Sequence, residues 1–254
     1  MKRMHIGSTK RYVARSKFKS SESPDDVLHL ITGIPAREFL KTYAGREVVV
    51  THGTPQRFNG LLGAAFIPSV QALGDLIPDY SQEIRRVVYD KQRVFKYKTL
   101  AEGDNVVGET ETCFFFWDFD GHFQGPRLLL DSLCSVFSYT RNGANVRGSF
   151  QTPGAFVPRH CDEVDVVILQ IFGSRRWRLE ANCDPPVGIE EPVRKPERLN
   201  NGWSSTFGQS SRVVVLHPGS ALYLPRGWWH ETRSSVNSFA LTIGLVGNAE
   251  SKRP

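Results

Sequence analysis

Ser149-Phe-Gln-Thr-Pro-Gly-Ala-Phe-Val-Pro-Arg-His160-Cys-Asp162-Glu-Val-Asp-Val-Val-Ile-Leu-Gln-Ile-Phe-Gly173-Ser-Arg-Arg-Trp177-Arg-Leu179 reads as a Gly/Pro loop, a possible ligand pair, an apolar β-rich run, a Gly turn and a second strand. In an extended segment residues i and i+2 share a face. His160 and Asp162 can therefore point into one cavity while Cys161 points away. An H-x-[DE] string alone is weak evidence: with 7 His and 26 acidic residues, roughly one is expected by chance. The context carries the argument. Downstream, Arg212-Val-Val-Val-Leu-His217-Pro-Gly-Ser-Ala-Leu-Tyr-Leu-Pro225-Arg-Gly-Trp-Trp-His230 reads as strand, Pro-Gly turn, short strand and a Pro/Gly turn presenting a His at its end. Ser238-Phe-Ala-Leu-Thr-Ile-Gly-Leu245 closes the pattern as another strand. Two imidazoles and one carboxylate, without a fourth protein ligand, are what a mononuclear non-haem Fe(II) site needs if positions must stay free for a co-substrate and O₂. Turn-rich β text with ligands near strand ends implies a mainly β chain with flanking helices, a double-stranded β-helix of the jelly-roll or cupin kind.

From about Asp25 to Leu245 the chain resembles JmjC-type, cupin-fold Fe(II)/2-oxoglutarate oxygenases, and within them the ribosomal-oxygenase branch that hydroxylates protein side chains. The shared strings are Pro153-Gly154, His160-Cys-Asp162, Asp165-Val-Val-Ile-Leu-Gln170, Gly173, Arg175-Arg-Trp177-Arg178, Leu222-Tyr-Leu-Pro225-Arg-Gly-Trp-Trp-His230 and Thr242-Ile-Gly-Leu245. They occur in the family's order and at its spacing. The resemblance implies that His160, Asp162 and His230 ligate iron. It implies that Arg175, fifteen residues after His160, pairs with the far carboxylate of 2-oxoglutarate, a role suited to a bidentate guanidinium. Ser149 matches a hydroxyl near the same co-substrate, Asn145 is a second candidate polar contact there, and Thr242 lies in the last signature. Trp228 and Trp229, bulkier than the family pattern, are candidates for a substrate groove.

The implied reaction consumes 2-oxoglutarate and O₂, releases succinate and CO₂, and hydroxylates a C–H bond. The substrate is expected to be a protein or peptide side chain. A free or carrier-bound amino acid and a non-catalytic metal-binding cupin are the alternatives. An open groove would favour a polypeptide, whereas a closed pocket with a second carboxylate anchor would favour a small amino acid. Only Val246 to Pro254 follow the last strand, so the helical dimerisation region and winged-helix-like module of the ribosomal branch are not expected, which leaves oligomeric state and ribosomal substrate open.

A length of 254 residues, 40% of them hydrophobic, suits one sizeable core. Residues 1–21 are read as a disordered basic tail and 22–254 as one oxygenase domain. The net charge of +6 is local to that tail: Lys2, Arg3, Lys10, Arg11, Arg15, Lys17 and Lys19 carry it with no acid before Glu22. The remainder is near neutral, so no specific nucleic-acid binding is expected. Cys113, Cys134, Cys161 and Cys183 lack C-x-x-C spacing or a secretory context, which suits a reduced compartment and Fe(II). No window approaches the ~20 apolar residues of a membrane span. Cytoplasmic location is expected, with organelle import by the basic segment as the alternative.

Ser23–Thr32 reads as a helix with a capping Ser and acids in its first turn. Pro35–Tyr43, stopped by Gly45, reads as a second helix, followed by a strand over Arg46–Thr51. Ser69–Ile77 reads as helical, Ile84–Tyr89 and Val94–Lys98 as strands, Cys113–Asp118 as an apolar run of undecided state, and Gly125–Leu133 as a helix. Several motifs have plainer explanations than chemistry. Asp118-Phe-Asp120-Gly-His122 imitates a second metal cluster, but a Gly-centred turn explains it. His217 fits a Pro-Gly turn, Trp177 fits the core, and Arg176 and Arg178 fit a solvated strand face. Cys161, beside an oxidising centre, is a site for self-oxidation.

Overall fold

A computed structural model describes residues 23–63, 66–80, 83–89, 95–100, 104, 106–181, 199–200, 203–204 and 207–247. The basic segment 1–21 and Cys183 lie outside the described residues. The helices are α1 (Pro24–Thr32), α2 (Ala36–Thr42), α3 (Asn59–Leu62), α4 (Val70–Tyr80), α5 (Phe119–His122) and α6 (Gln124–Phe137). The strands are β1 (Val49–Thr51), β2 (Ile84–Tyr89), β3 (Phe95–Thr99), β4 (Cys113–Phe116), β5 (Thr140–Gln151), β6 (Phe156–His160), β7 (Asp165–Phe172), β8 (Arg175–Glu180), β9 (Leu199–Asn200), β10 (Trp203–Ser204), β11 (Arg212–Leu216), β12 (Ala221–Leu224), β13 (Trp229–Arg233) and β14 (Ser238–Val246).

Local chemistry explains the entry. Ser23 and Asp26 form a reciprocal capping box, and Gly33 in the left-handed region closes α1. The strand expected from Arg46 starts only at Val49, because Arg46 and Glu47 both donate their N–H groups back to Tyr43 O in a turn. The undecided run at Cys113 is a strand, and α6 extends beyond its expected bounds to Phe137.

Two antiparallel sheets face each other. The larger has the order β1-β12-β7-β14-β5-β4-β2-β3, and the smaller β11-β8-β13-β6. From β5 to β8, and again from β11 to β14, successive strands alternate between the two sheets, the winding of a double-stranded β-helix. The turn from β7 to β8 depends on Gly173, at φ 64°, where an added Cβ would meet Asn237 O at 2.0 Å.

Alternation splits the large sheet's residues between two cores. One face packs Phe114, Phe116, Phe150, Leu169, Phe239 and Leu241 against α1, α3 and α6. The inner face sends Val166, Ile168, Leu222, Leu224 and Ala240 toward Trp177, Leu179 and Leu216 of the small sheet. The site is built where this inner apolar layer gives way to polar side chains.

Candidate metal centre

The inner layer ends at a rung where His230 on β13 pairs with His160 on β6 and Leu179 on β8. His230 lies inside a strand, not at the end of a turn as its sequence context indicated. Asp162 follows two residues after His160, just past the end of β6. One ligand atom from each of His160, Asp162 and His230 lies within 4.8 Å of the others. His230 Nε2 is 3.6 Å from Asp162 Oδ2, and the two imidazole centroids are 4.1 Å apart. Metal–ligand bonds of about 2.0–2.2 Å place adjacent donors roughly 3 Å apart, so a small side-chain rotation would close the three on one ion.

Both imidazoles are oriented through their backbones. His160 Nδ1 lies 2.8 Å from Pro158 O and His230 Nδ1 3.1 Å from Trp228 O. A carbonyl oxygen only accepts, so each Nδ1 carries the proton and each Nε2 presents a lone pair to the cavity. Trp177 stacks on the His230 ring at 5.8 Å, and His230 is almost wholly buried, while Asp162 keeps a third of its side chain exposed.

A second carboxylate holds the frame together. Asp165, buried at the start of β7, accepts from Arg226 N (2.8 Å) and Tyr139 Oη (2.9 Å). Gly227 N in turn donates to Asp162 O at 2.8 Å. The Pro225–Gly227 turn before His230 is thereby tied to the loop that carries Asp162. Gly227 takes φ 81° there. Pairing the two Asp residues in this way left no signature in the sequence beyond their spacing.

Arg175 opens β8 at the opposite end of the inner face and is 2% exposed. Its Nη1 donates to Ser149 Oγ (2.9 Å), its Nη2 to Ser149 O (2.9 Å) and Ser238 O (3.1 Å), and its Nε to Ser238 Oγ (3.3 Å). Gln170 Nε2 donates to Ser238 Oγ at 3.0 Å and steadies it. Among the described residues no carboxylate lies within ion-pair distance of Arg175. Burial without an anion pushes its guanidinium down to about 10, and it stays charged at neutral pH. Ser238 is a site-facing residue that the sequence reading missed, although it shares a strand face with Thr242.

The remaining candidates are distributed unevenly. Ser149, at the start of the stretch read as a Gly/Pro loop, and Asn145 both lie on β5. Asn145 is four residues from Ser149, about 13 Å along the strand, and donates to Gly143 O at 3.1 Å, two residues back on the same strand. The structure therefore does not bring it to Arg175. Thr242 lies on the inner face opposite Arg147 and Ile168. Trp228 packs at the edge of the inner core, donating to Arg46 O at 3.3 Å beneath the Arg212 guanidinium. Trp229 faces the other way, with the Arg159 guanidinium 3.9 Å from its ring centre.

Trp177 is core. Asp120 is occupied by Val146 N and Arg141, so the Asp118–His122 string is a helical turn and an ion pair, and His160, Asp162 and His230 form the sole three-member ligand group among the described residues. Cys161 is buried, and burial pushes its thiol up, which disfavours the reactive thiolate.

Residues 124–252 match the JmjC domain (JmjC_2). The chain belongs to the JmjC domain family. The family match spans α6 to the last strand, and so includes every residue of the three-member ligand group and Arg175. Among relatives, the Bacillus subtilis (strain 168) protein YxbC, named as uncharacterized, is 33% identical over 231 residues, covering 84% of this chain and 68% of its own length. The bifunctional lysine-specific demethylase and histidyl-hydroxylase NO66 of Drosophila persimilis is 33% identical over 105 residues, 41% of this chain and 14% of NO66. The structure of YcfD, a ribosomal oxygenase from Escherichia coli in complex with cobalt and 2-oxoglutarate, aligns with TM-score 0.56 at 20% identity over 87% of this JmjC chain and 54% of YcfD. The chain thus spans about half of YcfD and a small part of NO66.

Proposed function

We propose that this JmjC chain is an Fe(II)- and 2-oxoglutarate-dependent oxygenase that hydroxylates a C–H bond of a protein or peptide side chain, with residues 22–254 acting as one catalytic unit. The observation that carries the reading is Arg175, a buried cation without a carboxylate partner among the described residues, on the same inner face as a His-Asp-His cluster. A buried unpaired charge is costly unless a ligand completes it. NO66 is named a histidyl-hydroxylase, and YcfD is a ribosomal oxygenase crystallised with cobalt and 2-oxoglutarate, which supports both the co-substrate and a protein target.

The donor set fits the proposed groups. His160 Nε2, His230 Nε2 and the Asp162 carboxylate would hold Fe(II) and leave positions for small ligands. A guanidinium has five N–H donors, and Arg175 uses four, leaving one on Nη1. Ser149 Oγ accepts from Arg175, so its own proton is free to be donated. That N–H and that hydroxyl together would hold the distal carboxylate of 2-oxoglutarate. When bound, Fe(II), 2-oxoglutarate and O₂ supply oxidative decarboxylation to succinate and CO₂ coupled to C–H hydroxylation. The chain's own contribution is placement and exclusion of water: Trp177, Leu179, Ile168 and Ala240 are buried apolar residues of the same inner core and would line the space that the co-substrate spans from the ligand cluster to Arg175.

The test is succinate formation from 2-oxoglutarate with Fe(II) and ascorbate, together with mass spectrometry of candidate peptides for gain of one oxygen. Both signals are expected for the native chain and neither for Asp162→Ala. An oxygen gain that persists unchanged in Asp162→Ala would sink this mechanism.

A further inference from the structure

Beyond the ligand cluster and Arg175, the inner face carries another cation that the proposed reaction does not use. Arg147 lies on β5 two residues from Ser149, about 7 Å along the same face, opposite Thr242, which pairs on its other side with Ile168. The β4–β5 register, Phe116 with Gly148, continues to place Trp117 beside it, and the guanidinium lies 4.8 Å from the centre of the Trp117 ring. Tyr97 packs edge-on to both Trp117 and Phe115 at 5.8 Å and is itself exposed. Arg147 and Thr242 both stay part-exposed beside Ile168, Ala240 and Ser149, which are buried. The inner face is open at this rung.

Two donors in this stacked pair have no acceptor. Arg147 Nε and Trp117 Nε1 are both buried and make no hydrogen bond. Among the described residues no carboxylate lies within ion-pair distance of Arg147. Buried donors that make no hydrogen bond also occur at Arg86, Arg159 and Arg233 Nε and at Trp177 Nε1. At Arg147 and Trp117, however, two such donors adjoin in one stacked pair beside the open rung, where an external acceptor can satisfy both. A neutral carbonyl would satisfy a hydrogen bond and leave the charge bare, whereas a carboxylate satisfies both.

The geometry points to a substrate-recognition subsite at Arg147 and Trp117 that takes a carboxylate of the molecule to be oxidised. This rests on the oxygenase reading and deepens it by naming the substrate class. Asp or Glu side chains of a polypeptide and the carboxylate of a free amino acid offer the same chemistry at this subsite.

The test uses the full chain and fluorescein-labelled nonapeptide mixtures with Asp/Glu or Asn/Gln at the central position, read by anisotropy with and without Co(II) and 2-oxoglutarate. Free glutamate and its α-amide serve as competitors. The native chain is expected to prefer the acidic mixture, or glutamate over its amide, by about ten-fold, the scale of one charge-assisted contact. Arg147→Gln should erase that preference and Arg147→Lys should restore part of it. Trp117→Phe, which keeps the ring and removes the N–H, should weaken it. Dependence seen only with glutamate assigns the subsite to small acids, and dependence with the peptides assigns it to acidic polypeptides; either supports the proposal. Equal binding of acid and amide probes by the native chain overturns it. So does a preference unchanged in Arg147→Gln, including the case where that variant instead loses affinity for 2-oxoglutarate. Succinate formation by the native chain reports the oxygenase reading separately, so failure of one is distinguishable from failure of the other.

Discussion

The two faces of the large sheet follow opposite rules on the same strands. On β14, Phe239, Leu241, Ile243 and Leu245 join the helix-side core, while Ser238, Ala240, Thr242 and Gly244 look inward. On β5, Val146 and Phe150 face the helices and Arg147, Ser149 and Gln151 face the site. The helix side gains burial without polar groups to satisfy. The inner side gives up apolar area and holds two arginines without carboxylate partners among the described residues, an arrangement that costs stability unless a ligand is present. One face holds the fold and the other is kept incomplete.

The largest separation of the two roles should come from Phe239→Ala. Phe239 is fully buried, with Phe116, Phe119 and Phe172 rings 5.7–6.1 Å away. Truncation should cost about 3–5 kcal/mol in a denaturant titration, while the protein that remains folded still binds Co(II). A variant of native stability would show that the helix-side core is not what sustains the sheet.

Next in size is the reverse experiment, Arg175→Met. It removes a buried cation along with four hydrogen bonds, two losses that offset each other, so folding stability should change by less than about 1 kcal/mol. Affinity for 2-oxoglutarate should fall by roughly 2–3 kcal/mol, seen as loss of the thermal shift that the co-substrate gives the native chain. The pH dependence has a definite sign. With its folded value lowered by burial to about 10, Arg175 is protonated more readily in the unfolded chain at pH values above that. Its cost to the native state is present in full below about pH 10 and is relieved as pH rises beyond it. Arg175→Met should lose that relief. A native-like co-substrate shift in the variant would refute the anchoring role.

The difference between the faces also explains what could be read in the sequence. The apolar β-rich run over Asp165–Phe172 and the alternating apolar letters of Ser238–Leu245 revealed strands, and the i, i+2 rule brought His160 and Asp162 together. Arg175 was implied by the resemblance to the JmjC oxygenases, which places a basic residue fifteen after His160. Ser238, Arg147 and Asp165 were not found, because each acts through a partner far along the chain: Ser238 lies 63 residues from Arg175 and Asp165 lies 61 from Arg226. Strand register decides such pairs, and register is set by packing rather than by local text. Asn145 was misplaced for the same reason. The resemblance offered it to the co-substrate, but on β5 it lies four residues, about 13 Å, from Ser149.

The smallest expected effect tests the alternation rule where the sequence reading did not apply it. The rule that unites His160 and Asp162 across Cys161 also separates Trp229 from its neighbour His230. Trp229 pairs with Glu180 on β8, and Glu180 binds Arg159 at 3.5 Å, so ring, guanidinium and carboxylate form one stack on the outer face of the small sheet. Trp229→Ala should therefore cost about 1 kcal/mol of stability, the scale of a cation–π contact, and leave Co(II) affinity within two-fold. A loss of metal or peptide binding larger than the loss of stability would mean that Trp229 reaches the cavity in solution. In that case the separation of a holding face from a working face would fail for the small sheet.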